Sequence, residues 1–152
     1  MKLKKILAEK SKNNVIHSIK ATATLKDAVK KLVEFNVGCL LVTDPGNPDK
    51  YVGIIAQTDI IRKCAEDGNF YETKIEDIMV KQLIVATGED EVEYIVKVMN
   101  RHKIHHIPVI EKGKISGIIS ITDIIGSMHE EDEIKIRYLS DYMGGTYGSN
   151  VY

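Results

Sequence analysis

The segment HHIPVIEKGKISGIISITD, from His105 to Asp123, decides the fold that we predict for this chain. It contains two short apolar runs, Ile107–Ile110 and Ile115–Ile119, joined by a turn that includes a glycine. Apolar runs bounded by turn residues are typical of strands that are covered on both faces. The second run leads into three polar residues of the kind that begin helices, Ser120, Thr122 and Asp123. Free amide groups at such a helix start, with a histidine pair at the other end of the unit, suit a phosphorylated ligand.

An earlier part of the chain repeats this pattern. Two apolar stripes with i, i+3, i+4, i+7 spacing, starting at Leu25 and at Val92, predict amphipathic helices 67 positions apart. The strand pair that follows each helix leads to Thr58-Asp59 in the first copy and to Thr122-Asp123 in the second, 64 positions apart. The difference of three residues falls in the turn between the strands, where insertions are tolerated. The chain therefore contains one structural unit twice.

Each unit is predicted to have the order β-α-β-β-α and to follow a helical turn, Leu3–Leu7 in the first copy and Ile75–Met79 in the second. A unit of this size is too small to bury its own apolar surface. We therefore expect an α+β fold in which two units, related by a pseudo-twofold axis, pack sheet to sheet. The expected boundaries are residues 1–65 for the first repeat, 66–128 for the second, and 129–152 for a C-terminal helix and flexible tail.

Composition limits the classes of function. The chain has 152 residues, of which 43% are hydrophobic, enough for a packed core. A net charge of -1 and an aromatic content of 6% argue against nucleic-acid binding. No apolar run is long enough to cross a bilayer, and the basic N-terminus lacks the apolar core of a signal peptide. Two cysteines are too few for a disulfide scaffold, so we expect a soluble protein of the reduced cytoplasm.

The motifs resemble the CBS domain, the family named after cystathionine β-synthase, and the chain is similar to one tandem CBS pair. The resemblance covers about Lys2 to Met128. It implies a regulatory, non-catalytic module that binds AMP, ADP, ATP, S-adenosylmethionine or NAD(H) between the repeats, requires no cofactor, and forms a flat homodimer. The motifs that carry it are Ile75-x-x-Ile78-Met79, His105–Val109 and Gly117–Asp123 in the second copy, and Gly53–Asp59 in the first.

The resemblance also implies which residues bind the ligand. A carboxylate offers two acceptor oxygens to the two hydroxyls of a ribose, and an imidazole can donate to phosphate. The structural alternative for Asp123 is to cap the helix that follows, a common role of Thr and Asp. The two roles are compatible, since Thr122 could cap the helix while Asp123 faces the cleft. The expected contacts are Asp123 with ribose, Ser120, Thr122 and His105 with phosphate, and Leu83, Ile84 and Val85 with adenine.

The first copy keeps only part of this set. It has Thr58 and Asp59, but Ala56 replaces the serine, and Gly38 and Cys39 replace the histidine pair. We therefore expect a second, weaker cleft at Thr58 and Asp59, and at most one good nucleotide site in each pair of repeats.

No metal site or catalytic site is predicted. The histidines His105 and His106 are adjacent on a strand, so their side chains are expected on opposite faces and cannot chelate one ion. The chain has no Cys-x-x-Cys or His-Glu-x-x-His spacing, no nucleophile elbow and no phosphate loop. We expect Asp59 and Asp123 to lie too far apart to act as an acid–base pair.

Two functions from different classes remain open. The first is a sensor, in which an adenine nucleotide stabilises one arrangement of the repeats and so regulates an unidentified protein. The second is a dimerisation scaffold without a nucleotide, which captures a partner through the tail that begins near Tyr138 and continues through residues 144–152.

Overall fold

The fold, seen in a computed structural model that describes residues 1–10, 15–66 and 68–131, contains two three-stranded sheets. In each sheet the first strand is parallel to the second, and the second is antiparallel to the third. The predicted β-α-β-β-α order is present twice, which confirms the α+β fold. The elements are α1 (Leu3–Lys10), β1 (Ser18–Lys20), α2 (Leu25–Phe35), β2 (Cys39–Asp44), β3 (Asn47–Ala56), α3 (Gln57–Glu66), β4 (Ala86–Thr87), α4 (Val92–His102), β5 (His106–Glu111), β6 (Lys114–Ser120) and α5 (Ile121–Glu131).

Local sequence sets where the helices begin and end. The side chain of Thr24 accepts a hydrogen bond from the backbone of Asp27 at 3.3 Å, and the Asp27 carboxylate accepts one from the backbone of Thr24 at 3.0 Å. This reciprocal pair is a capping box, which starts α2. Helices α2 and α4 both end at a residue in the left-handed region, Asn36 with φ 51° and Lys103 with φ 54°. At these residues the chain leaves the helix and turns toward the central strand of its sheet.

The two repeats exchange their opening segments, which are α1 in the first repeat and the helical turn that begins at Ile75 in the second. Each segment packs in the hydrophobic core of the other repeat. Leu3 and Ile6 of α1 lie in the core of the second repeat, and Ile75, which is 0% exposed, lies in the core of the first. The backbone N–H of Leu3 donates to the carbonyl of Asp90, 3.0 Å away, as that of Ile75 donates to Ala23 at 2.9 Å. From the sequence, each opening segment is assigned to the repeat that it precedes, but in the structure it packs against the other repeat. Neither core is therefore complete without the other repeat.

Helix α5 runs from Ile121 to Glu131 without a break at Gly126. From the sequence, a separate helix is predicted from Met128 to Tyr142, followed by a tail. Residues from 132 onward, with the partner-binding role predicted for them, lie outside the described residues. Among the helices that the structure describes, none combines the length and the apolar character needed to span a bilayer.

A glycine in β3 lies where the two repeats come close. A Cβ atom at Gly53 would lie 2.7 Å from Sδ of Met79 and 2.9 Å from the carbonyl oxygen of Val80. The backbone of Val80 also pairs with that of Ile54, through hydrogen bonds of 2.9 and 3.0 Å. We predict that Gly53→Ala lowers the free energy of unfolding by about 1–3 kcal/mol, because the overpacked backbone must move. Urea denaturation measures this change.

The matched control is Gly126→Ala in the middle of α5. A Cβ atom at Gly126 meets no other atom within 4 Å, so alanine there is expected to stabilise the helix by about 0.5–1 kcal/mol. A Gly53→Ala variant that is as stable as the parent protein, or more stable, would contradict the close approach at Gly53.

Candidate ligand-binding clefts

Two cavities lie between the repeats. The Asp59 cleft has a volume of about 270 Å³ and the Asp123 cleft has a volume of about 310 Å³. Each is lined by residues of both repeats, and Gly38 and His106 line both cavities. A Cβ atom at Gly38 would lie 2.6 Å from Cε1 of His106, so the imidazole occupies the space that any larger residue at position 38 would need. The His106 ring is therefore a wall shared by the two clefts.

The two aspartates occupy equivalent positions in the first turns of α3 and α5. Oδ2 of Asp59 accepts a hydrogen bond from the backbone N–H of Ala56 at 2.8 Å, and Oδ2 of Asp123 accepts one from Ser120 at 2.7 Å. The hydroxyl of Ser120 accepts a hydrogen bond in return from the backbone N–H of Asp123, at 3.1 Å. The residue that caps α5 is therefore Ser120, and the prediction that Thr122 would do so is wrong. One oxygen of each carboxylate has this structural role.

The Asp59 cleft combines a carboxylate with several cationic or potentially cationic side chains. Oδ1 of Asp59 lies 3.8 Å from Nη1 of Arg62 on the same helix. Two residues of the second repeat line the same cavity: Lys103, the C-cap of α4, and His105, which precedes β5. Phosphate groups are bound in proteins by such clusters. The remaining charged or titratable lining residues are His102 and His106, and the apolar ones are Ile54, Ala56, Val80, Ile84 and Ile104.

The Asp123 cleft is built from the same elements with different side chains. Where the Asp59 cleft has Lys103 and His105, the equivalent positions of this cleft, 67 residues earlier, are Asn36 and Gly38. The hydroxyls of Ser120 and Thr122 are 2.7 Å apart, and Ser120 donates to Oδ2 of Asp123 at 2.8 Å. The polar groups of this cleft are thus largely bonded to one another.

A lysine from the N-terminal helix reaches into the Asp123 cleft. Nζ of Lys10 lies 2.7 Å from Oδ2 of Asp123 and 2.8 Å from the carbonyl oxygen of Ile118. Burial raises the pKa of the Asp123 carboxyl, but hydrogen bonds from Lys10 and from Ser120 lower it more, so that its pKa lies below the usual value. The carboxylate is therefore ionised at neutral pH and paired with an ammonium group.

The structure divides the predicted contact residues between the two cavities. Ser120 and Thr122 lie beside Asp123 as expected, whereas His105 and Ile84 line the Asp59 cleft. The prediction that His105 and Ile84 lie in the same cleft as Asp123 is therefore wrong. The physical reason is the packing of the repeats, which places the turn between α4 and β5 of one repeat opposite the start of α3 of the other.

The remaining two residues predicted for the adenine slot, Leu83 and Val85, line neither of these cavities. The weaker cleft predicted at Thr58 and Asp59 is the one that holds the cations. The ligand-binding roles of all these side chains stay predictions.

Several lining residues are absent from the predicted set, among them Arg62 and Lys103 of the Asp59 cleft and His17 and Lys10 of the Asp123 cleft. His17 lines the Asp123 cleft and stacks on Phe35, with ring centroids 4.2 Å apart. Its position is equivalent to that of Ile84, 67 residues later, which is predicted to contact adenine. The internal repeat therefore also points to His17 as a lining residue of the other cleft. Lys10 has no such signal, because it lies in a part of α1 that the second repeat lacks. Within the described ranges, no group of three His, Cys, Asp or Glu residues is placed to hold a metal ion.

The fold and the clefts define a module of two similar repeats with two composite cavities between them. The chain belongs to the CBS domain family, whose model matches residues 11–66 and 75–130, and it contains a tandem pair. It is 35% identical over 127 residues to a mitochondrial CBS domain-containing protein of Arabidopsis thaliana, a match that covers 82% of this chain and 62% of that protein. The chain thus spans less than two thirds of this relative.

Solved structures of other proteins share the fold, among them two proteins with CBS domains. A protein with CBS domains from Burkholderia ambifaria has a TM-score of 0.80 and 27% identity, and the match covers 87% of this chain and 96% of that one. A CBS domain protein from Pyrobaculum aerophilum, solved in complex with AMP, has a TM-score of 0.68 and 26% identity, with coverage of 81% and 89%. These relatives confirm the resemblance to the family that is visible in the sequence.

The stability of the module should depend on pH through His106. Burial lowers the pKa of His106, and the charge of His105 lowers it further. The unfolded chain then binds more protons than the native state below about pH 6.5, so the free energy of unfolding falls as the pH drops from about 7.5 to 5.5. One proton contributes at most about 1.4 kcal/mol per pH unit. Urea denaturation across this range measures the slope.

The variant His106→Gln keeps a polar side chain of similar size between the clefts but does not titrate. We predict that it flattens the dependence of unfolding free energy on pH. An identical slope in the variant and the parent protein would contradict the assignment to His106.

Proposed function

We propose that this chain is a regulatory module that binds an adenine nucleotide of the AMP type in the Asp59 cleft and catalyses no reaction. The observation that carries this proposal is the meeting of three features in one cavity: a carboxylate, an apolar wall and a cluster of cations. A nucleoside monophosphate has the three complementary parts, namely a pair of hydroxyl donors, a flat and weakly polar base, and an anion.

The ribose is assigned to Asp59. Because Oδ2 of this residue accepts the backbone hydrogen bond that caps α3, Oδ1 is the oxygen available for ligand hydroxyls. Arg62, whose side chain is 70% exposed, lies 3.8 Å from Oδ1, which is too long for a direct hydrogen bond. A hydroxyl donor therefore competes only with a weak, solvent-exposed ion pair.

The base is assigned to the apolar wall formed by Ile54, Val80 and Ile84. The volume of about 270 Å³ is close to the lower end of the range of small-molecule pockets, which is roughly 300–1,000 Å³. This size favours one nucleoside monophosphate over a dinucleotide.

The phosphate is assigned to Lys103 and His105, with Arg62 and His102 close enough to strengthen the local positive potential. The equivalent positions in the other cleft, Asn36 and Gly38, carry no charge. The relative from Pyrobaculum aerophilum, which was solved in complex with AMP, supports the ligand class. Binding would regulate a partner by favouring one arrangement of the two repeats, since a ligand shifts an equilibrium only by its differential affinity.

Isothermal titration calorimetry with AMP tests the assignment. We predict that Asp59→Asn weakens AMP binding by about 10- to 100-fold, because hydrogen bonds to a charged group contribute about 1.5–3 kcal/mol. The matched control is Asp123→Asn, which makes the same change at the equivalent position and is expected to alter the affinity less than about threefold. Loss of binding in the Asp123 variant alone would contradict the assignment to the Asp59 cleft.

A homodimer is the assembly that we propose. Ile61 on α3 and Ile125 on α5 occupy equivalent positions, and they are 66% and 55% exposed. Exposed apolar side chains of this kind suit a surface that a second copy covers. A scaffold that acts through the C-terminal tail without a nucleotide is the alternative, and a cytoplasmic location remains a prediction.

A further inference from the structure

The pairing of Lys10 with the Asp123 cleft distinguishes the two cavities in a way that the repeat does not predict. The ammonium group has two partners inside the cavity, the carboxylate of Asp123 at 2.7 Å and the carbonyl of Ile118 at 2.8 Å. The side chains of Lys10 and Asp123 are only 31% and 25% exposed. A charge-assisted hydrogen bond that is shielded to this degree is stronger than an ion pair at the surface.

The equivalent carbonyl in the other cleft has a different partner. The carbonyl of Ile54, 64 residues before Ile118, accepts a hydrogen bond from the backbone N–H of Val80 at 2.9 Å. The donor to the Ile54 carbonyl is a backbone N–H, which makes no bond to Asp59. The donor to the Ile118 carbonyl is the Lys10 ammonium, which also donates to the carboxylate of Asp123. The two clefts therefore differ in whether their aspartate already has a cation bound to it.

The chain segments that supply these partners differ in length. Leu3 and Ile75 are equivalent, since each donates its backbone N–H to the same place in the opposite repeat. After Ile75 the helical turn ends at Asp77, but after Leu3 helix α1 continues to Lys10. Lys10 thus lies in an extension of the first copy that has no counterpart in the second.

We propose that Lys10 closes the Asp123 cleft to nucleotides by pairing with the Asp123 carboxylate and not by filling the space, since the cavity has a volume of about 310 Å³ with the lysine in place. This inference rests on the proposed function, because it assumes that an aspartate in such a cleft takes the ligand's hydroxyl donors. Oδ2 of Asp123 already accepts hydrogen bonds from Lys10 and from both the backbone and the hydroxyl of Ser120. Because Lys10 also lines this cavity, its ammonium group competes with a ligand's hydroxyl donors for the carboxylate.

Displacement of Lys10 has a structural consequence. Lys10 is the last residue of α1, and Leu3, Ile6 and Leu7 of the same helix are packed in the core of the second repeat. Entry of a ligand into the Asp123 cleft therefore releases the end of a helix that is anchored at its start. On this proposal the parent protein binds one nucleotide per chain, and the Asp123 cleft binds none while Lys10 is paired with Asp123.

The number of AMP molecules bound per chain, measured by isothermal titration calorimetry, tests this proposal. We expect one in the parent protein and two in Lys10→Met, which keeps the length of the side chain and removes its charge. The double variant Lys10→Met/Asp123→Asn should return to one. The control is Lys97→Met, an exposed lysine on α4 that lines neither cleft, with an expected value of one. Two molecules bound by the parent protein, or the same non-zero number bound by the parent protein and by a folded Lys10→Met variant, would overturn the proposal.

The variants also separate this proposal from the proposed function. If the parent protein binds no AMP and Lys10→Met binds one molecule, the closed cleft is supported and the assignment to Asp59 fails. If no variant binds AMP, the ion pair is still tested by ¹³C NMR titration of the Asp123 carboxyl carbon. Loss of the lysine should then raise the pKa of Asp123, because the hydrogen bond from Lys10 is the largest of the causes that lower it. The hydrogen bonds from Ser120 remain in the variant, as does His106 in the same cavity. A pKa unchanged by Lys10→Met would overturn the closed cleft without reference to any nucleotide.

Discussion

The structure depends on the exchange of opening segments between the two hydrophobic cores. Leu3 of the first segment and Ile75 of the second are both fully buried, and each completes the core of the opposite repeat. A unit of about 60 residues buries too little of its surface to be more than marginally stable alone, and the exchange adds side chains of the other segment to each core. It also fixes how the repeats face each other, and therefore where the two clefts lie. A ligand that binds between the repeats contacts both halves of a module that neither half can form alone.

The pseudo-twofold symmetry of the backbone is not followed by the side chains of the clefts. Each cleft has an aspartate at the start of a helix, and one oxygen of each carboxylate caps that helix. The rest of each cleft has diverged, since Lys103 and His105 face Asp59 whereas Asn36 and Gly38 line the cleft of Asp123. One fold thus holds two cavities of similar size and different charge, which suits a sensor with one nucleotide site and one cleft closed by its own chain.

The sequence predicts the repeat unit well, because the helix stripes and the strand–turn–strand segments are local and strongly periodic. The resemblance to the family also predicts that Asp59 and Asp123 lie in clefts, as the matching aspartates of the motif that follows each strand pair. The sequence does not predict which side chains share a cleft. That depends on the packing of one repeat against the other, and nothing in the local pattern of His105 shows that it faces Asp59 rather than Asp123. The position of Lys10 depends on the length of α1, which has no counterpart in the second repeat.

The most direct test of the account is a crystal structure of the chain grown with AMP. We predict one nucleotide per chain, with its ribose at Asp59 and its phosphate at Lys103 and His105, and with Lys10 still bonded to Asp123. A nucleotide at Asp123 with Lys10 displaced, and an empty Asp59 cleft, would contradict the account.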